Sequence, residues 1–158
     1  IMAIKKYGKI SLWNTSQVTD MRGLFYHKVE FNANISSWDV SNVKNMSYMF
    51  HYAKSFNQPI GNWDVSNVTD MHSMFEGAVS FNRPIGNWDV RNVGNTAHMF
   101  DGAKMFYQNL DGWAGGRFTR YYENMKKMFR GSLMGPPRWF ERSLAKDPNP
   151  FAVVLEYT

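Results

Sequence analysis

Cysteine is absent from the 158 residues, which excludes disulfides, thiolate metal sites and a cysteine nucleophile but does not decide the compartment. No run of roughly 18 apolar residues occurs, so nothing reads as a membrane-spanning helix. The four histidines, His27, His51, His72 and His98, show no metal-ligand spacing, and no nucleophile, base and orienting group converge. The expectation is a non-enzymatic chain with no cofactor and no metal. The sequence begins at Ile1 rather than at methionine, which leaves signal peptides and lipid anchors open. Acidic residues are outnumbered, 13 against 18 Lys and Arg, and the imbalance is local. Residues 1–116 carry ten basic and nine acidic side chains, whereas residues 117–158 carry eight and four.

What is present is a period. Trp13, Trp38, Trp63, Trp88 and Trp113 follow one another at 25-residue steps, as do Ile10, Ile35, Ile60, Ile85 and Leu110. Two phenylalanine series, Phe25 to Phe100 and Phe31 to Phe106, keep the same step. Such a period marks stacked repeats, each burying its apolar side only against its neighbours. Ile60-x-x-Trp63-x-Val65 has the spacing of a leucine-rich-repeat strand, with Trp63 and Val65 inward. Val68, Met71, Met74 and Ala78 recur at steps of three or four and read as one face of a short helix. Asn67 and Asp70 would begin that helix as an approximate capping box, and Gly77 would end it. Pro59 holds the return turn. The expected fold is α/β: a leucine-rich-repeat-like solenoid of about five 25-residue strand–helix coils with N- and C-terminal caps.

By this reading residues 1–9 are an N-terminal cap or edge, 10–116 the repeat solenoid, and 117–158 a basic, aromatic C-terminal cap. Residues 117–130 read as a terminal helix, in which Met125-x-x-Met128-Phe129 restores the repeat motif about four residues late. Phe151–Tyr157 reads as a final strand.

The string Trp63-Asp-Val-Ser-Asn-Val-Thr-Asp-Met71-x-x-Met74-Phe75-x-x-Ala78-x-x-Phe81-Asn resembles the repeat of BspA-like surface proteins, leucine-rich-repeat relatives abundant in mycoplasma lipoproteins. The likeness covers roughly residues 10–110. It implies placement at the cell surface or outside it, and adhesion to host or matrix proteins. Similar repeats in algae, protists and large viruses keep a second setting open, within a viral or organellar assembly. The resemblance carries no catalytic residues.

The outward positions Ser37, Asp39 and Ser41, Asn62, Asp64 and Ser66, and Asn87, Asp89 and Arg91 form the candidate partner-binding face. Asp39, Asp64 and Asp89 share one slot. Each is expected to bond the N–H groups of its own Ser-Asn turn, with a bound cation or a polar recognition stripe as the alternatives. Asn32, Asn57 and Asn82 are expected to form a buried ladder satisfying backbone groups. Tyr26, His51, Glu76 and Asp101 vary within one column, which reads as a solvated face. In the tail, Arg117, Arg120, Lys126, Lys127, Arg130, Arg138, Trp139 and Arg142 are the candidate docking residues, suited more to an acidic protein than to nucleic acid. The function expected is protein–protein recognition of surface or adhesion type. The alternative is a structural or cement subunit of a large assembly. The partners would be host or matrix proteins, or neighbouring subunits.

Overall fold

The computed structural model describes residues 2–120 and 122–144. Tyr121 and the strand read at Phe151–Tyr157 lie outside them.

Local hydrogen bonding sets the architecture. In each repeat the apolar residue at one step donates its N–H to the carbonyl three residues back: Trp63 to Ile60, Val68 to Val65, Met74 to Met71, Ala78 to Phe75 and Phe81 to Ala78. Between these residues lie Gly, Asn, Asp and Ser, and the Asp and Asn side chains close further turns. Asp64 Oδ1 accepts from the N–H of Ser66, and Asp70 Oδ1 from that of His72. These short-range bonds compete with helix and ladder alike. A step of three is therefore a succession of turns here.

This overturns the strand–helix reading. Among the described residues no sheet forms; the parallel pairing is limited to isolated bridges linking Asp20, Asn45, Asp70 and Asn95 in sequence. The α-helices, α1 (Met2–Tyr7) and α2 (Arg138–Leu144), lie outside the 25-residue repeats. Residues 117–130 hold 3₁₀ turns at Arg117–Arg120 and Tyr122–Asn124 rather than one terminal helix. The obstacle to a helix is backbone handedness. Gly23, Tyr48, Ser73 and His98 all have φ between 52° and 62°, and His27, Tyr52, Gly77 and Gly102 between 53° and 69°. Two left-handed residues per repeat break any right-handed run. Asn67 does not cap a helix; its Nδ2 donates to Ser41 O of the preceding repeat. Gly77 occupies the same left-handed slot as Tyr52, not a helix end.

The repeats lie on one another in register. The N–H groups of Met46, Tyr48, Phe50 and Tyr52 donate to the carbonyls of Asp70, His72, Met74 and Glu76, and the same four-bond set joins each repeat to the next. Alternate residues thus bond between layers, while those between them bond within the layer. Each indole ties its layer to the one before: Trp38 Nε1 donates to Ile10 O, Trp63 to Ile35 O, Trp88 to Ile60 O and Trp113 to Ile85 O, at 2.9–3.3 Å. Phe25, Phe50, Phe75, Phe100 and Phe129 form one ring stack, with centroids 5.4–5.9 Å apart. Phe31, Phe56, Phe81 and Phe106 form a second, beside it. Most of these side chains are fully buried.

Residues 125–139 continue the register after a short insertion. Thr96, His98, Phe100 and Gly102 donate to Asn124, Lys126, Met128 and Arg130, and Trp139 Nε1 donates to Leu110 O at 2.8 Å. At the other end Trp13 finds its acceptor on α1, at Tyr7 O.

Candidate binding faces

The outward positions of the sequence reading do face solvent: Ser37, Asp39, Asn62, Asp64, Asn87 and Arg91 are exposed, with Ser41, Ser66 and Asp89 half-buried. Most of their side chains are nevertheless engaged. Asp39 Oδ1 accepts from both the N–H and the hydroxyl of Ser41, and Asp64 repeats this with Ser66. In the next layer Arg91 replaces the serine and forms a two-point ion pair with Asp89, at 2.7 and 2.9 Å. The Ser41 bonds hold the Asp39 carboxyl below its ordinary value, and Arg91 holds that of Asp89 at about 2. Ser37 and Asn62 donate to carbonyls of the preceding layer, Ser11 O and Ser36 O. The surface is regular, polar and short of the large side chains that dominate interface energetics.

The asparagine ladder exists but is not buried. Asn32 is exposed, and Asn57 and Asn82 half-buried. Each side-chain oxygen accepts the backbone N–H of the next layer, Asn57, Asn82 and Tyr107 respectively.

The tail residues divide. Arg117, Arg120, Arg130, Arg138 and Arg142 are exposed, and Lys126 and Lys127 half-buried. Trp139 is a correction to the docking set: it is 8% exposed and locked to Leu110 O, because it takes the indole slot of a further layer. Lys126 pairs with Glu123, and Arg130 with Asp101 of the layer before.

The other rim of the stack carries the larger side chains. Tyr26 stacks on His51 with centroids 4.7 Å apart and planes 2° from parallel. His27 lies 5.3 Å from His51 and 5.1 Å from Tyr52. Tyr48 meets His72 edge-on at 5.0 Å, and His72 meets His98 at 5.8 Å. Tyr26 and Tyr52 remain 48% and 38% exposed. Beyond the aromatics the same column becomes ionic: His51 Nε2 lies 3.6 Å from Glu76 Oε2, and Asp101 Oδ2 lies 3.1 Å from His98 Nδ1 and 2.8 Å from Arg130.

This column is solvated only in part: Tyr26 is exposed and Glu76 half-buried, whereas His51 and Asp101 are buried. Burial pushes the His51 and His72 imidazoles below their ordinary value, with Glu76 pulling the other way in both cases. Sequence reasoning missed this grouping by asking for histidines in one repeat slot. Adjacent layers bring together residues 24 to 26 apart, and His27 with His51 and His72 with His98 are at the two limits of that range. The signal was the period plus or minus one.

Neither a curated protein nor a solved structure matches the chain. One family model does, over residues 2–113, and it is described as a Mycoplasma protein of unknown function, DUF285. The match spans most of the chain, from α1 through the four-layer stack to Trp113, and on that basis the protein belongs to the DUF285 family.

Proposed function

We propose that the chain is a non-enzymatic recognition module, of the surface or adhesion type of the BspA-like repeats it resembles, and that it contacts a protein partner through the tyrosine–histidine rim. One observation carries this reading: Tyr26, His27, Tyr48, His51 and Tyr52 make a continuous band of rings, three of them (Tyr26, His27 and Tyr52) exposed, where the repeat sequence varies. Tyrosine offers large contact area with few rotatable bonds and a polar tip, the combination favoured at recognition surfaces. On the other face Asp39, Asp64 and Asp89 are each engaged by their own turns, which weakens its claim as the contact site.

The test is surface plasmon resonance of the chain against a panel of extracellular-matrix proteins. Tyr26→Ala with Tyr52→Ala is expected to abolish the response, and Asn62→Ala with Asn87→Ala to preserve it. The reverse pattern would move the contact to the other face. A second reading, a structural subunit of a larger assembly, draws on the open N-terminal end of the stack. There Ile10, Trp13, Leu24, Phe25, Val29 and Phe31 line an apolar hollow of about 660 Å³. Sedimentation of the chain with its native particle, in fixed stoichiometry, would favour that role.

A further inference from the structure

Every layer boundary follows one hydrogen-bonding rule, and the first layer meets it on one side only. At each boundary four carbonyls of the later layer accept N–H groups from the layer before. Asn45, Ser47, Met49 and His51 accept from Met21, Gly23, Phe25 and His27. The equivalent carbonyls 25 residues earlier belong to Asp20, Arg22, Leu24 and Tyr26, and among the described residues none of them accepts a hydrogen bond. α1 stands in for a preceding layer at the indole, where Tyr7 O takes the Trp13 Nε1–H. The apolar side chains beside the carbonyl row are open. Leu24 is 45% exposed, whereas Met49, Met74 and Met99 in the same slot are fully buried. Leu24, Phe25, Val29 and Phe31 line the hollow at this end.

We propose that this end is an augmentation edge, which takes one repeat segment of the same turn-built kind from another polypeptide. The segment lays the N–H groups of alternate residues on Asp20, Arg22, Leu24 and Tyr26. It sets two aromatic rings over Phe25 and Phe31, continuing the stacks that Phe50 and Phe56 continue on the other side. The argument is continuity: each interface already formed inside the molecule has this pattern. Unpaired main-chain rows are templates for pairing with another chain, in which backbone bonds supply affinity and side-chain pockets supply selectivity.

Charge selects an acidic segment. Residues 1–19 hold Lys5, Lys6 and Lys9 and no acidic residue, while Lys28 and Glu30 at the hollow offset each other. A folded second copy does not fit. Phe140 meets Phe129 edge-on at 5.4 Å and Trp139 fills the indole slot, which closes the opposite end of the stack. Two N-terminal ends would set carbonyls against carbonyls. The proposal rests on the second reading above, to which it gives a partner chemistry, and is independent of the tyrosine–histidine rim.

The test is fluorescence anisotropy of a labelled synthetic peptide with the sequence of residues 69–82, titrated with the full chain. This peptide carries Asp70 and Glu76 and no Lys or Arg. Its Met71, Ser73, Phe75 and Gly77 are the N–H donors of their own layer, and its rings are Phe75 and Phe81. Saturable one-to-one binding is expected, weakened at least tenfold by Leu24→Asp in the chain. N-methylation of the peptide at Ser73 and Phe75, which removes two donors and keeps every side chain, is expected to weaken it as much. Leu133→Asp, a substitution at a residue 62% exposed, is the control and should leave binding unchanged. Near-ultraviolet circular dichroism checks that both chain variants stay folded. No saturable binding up to millimolar chain, or equal binding of the N-methylated peptide, would overturn the proposal. A concentration-dependent dimer of the chain alone, abolished by Leu24→Asp in sedimentation velocity, would overturn it too by making a second copy the occupant. Leu24→Asp is expected to keep the response to matrix proteins that the tyrosine substitutions remove. Sedimentation with the native particle tests the second reading by itself, so each failure is distinguishable.

Discussion

The first layer of the stack, residues 10–34, and the third, residues 60–84, carry the same motif and differ in what covers them. Trp63 is 4% exposed and Trp13 42%, although each indole donates one hydrogen bond to a carbonyl. Phe75 and Phe81 are fully buried, whereas Phe31 in the first layer is only half-buried. Within the layer the ring pairs are alike, 3.7 Å for Phe25–Phe31 and 4.0 Å for Phe75–Phe81. The intralayer fold is thus complete in both places, and burial is supplied by the adjacent layers. Stability in such a stack is a property of interfaces between neighbours more than of any one repeat.

Truncating a ring should expose the difference most. Phe75→Ala is expected to cost about 3–5 kcal/mol, because both neighbours in the stack hold the cavity open. Phe31→Ala should cost about 1–2 kcal/mol, since its ring is partly in water already. Urea unfolding of the two variants compares them, and equal losses would break the distinction between end and middle layers.

Glycine substitutions sharpen it. A Cβ on Gly61 would lie 2.4 Å from the carbonyl oxygen of Pro84, where the third layer closes, so Gly61→Ala should cost about 1–3 kcal/mol. Gly115, with nothing within 4 Å, is the control and should tolerate alanine. Left-handed glycines behave differently. Gly23→Ala and Gly102→Ala have space for the added methyl, at 3.8 Å from their nearest neighbours, and meet only the φ penalty. Each should cost about 1–2 kcal/mol, the same in the first layer as in the fourth. That equality would separate local strain from packing.

The inward columns were readable from the sequence because identical residues at a fixed step must lie above one another if the coils are in register. Ile60, Trp63, Phe75 and Phe81 are all in the core for that reason. The backbone path was not readable. A three-residue step suits a helix and a run of turns equally, and the choice lies in handedness at Tyr48, Ser73 and His98. None of these is glycine, so nothing in their side chains announces φ above zero. The tyrosine–histidine rim was hidden in part for a related reason: Tyr26 with His51 and His27 with Tyr52 stack at the 25-residue step, but the histidine pairs His27–His51 and His72–His98 meet only through a one-residue offset between layers.

The smallest effect expected is on pH dependence, and it belongs to the covered layers. His51 and His72 have folded-state pKa values lowered mainly by burial, so the unfolded chain binds protons that the folded chain resists. Stability is then fully present above the ordinary histidine value of 6.5 and falls as the pH drops from there toward the lowered folded values. Scanning calorimetry from pH 8 to pH 5 should show a flat Tm that declines below about 6.5. His51→Gln combined with His72→Gln should flatten the decline. The carboxylates act in a separate window: Asp39 and Asp89, with lowered values, contribute stability that is lost only as the pH falls below about 3.8. A decline between pH 6.5 and 5 that survived the double substitution would show that buried imidazoles are not what couples the middle layers to protons.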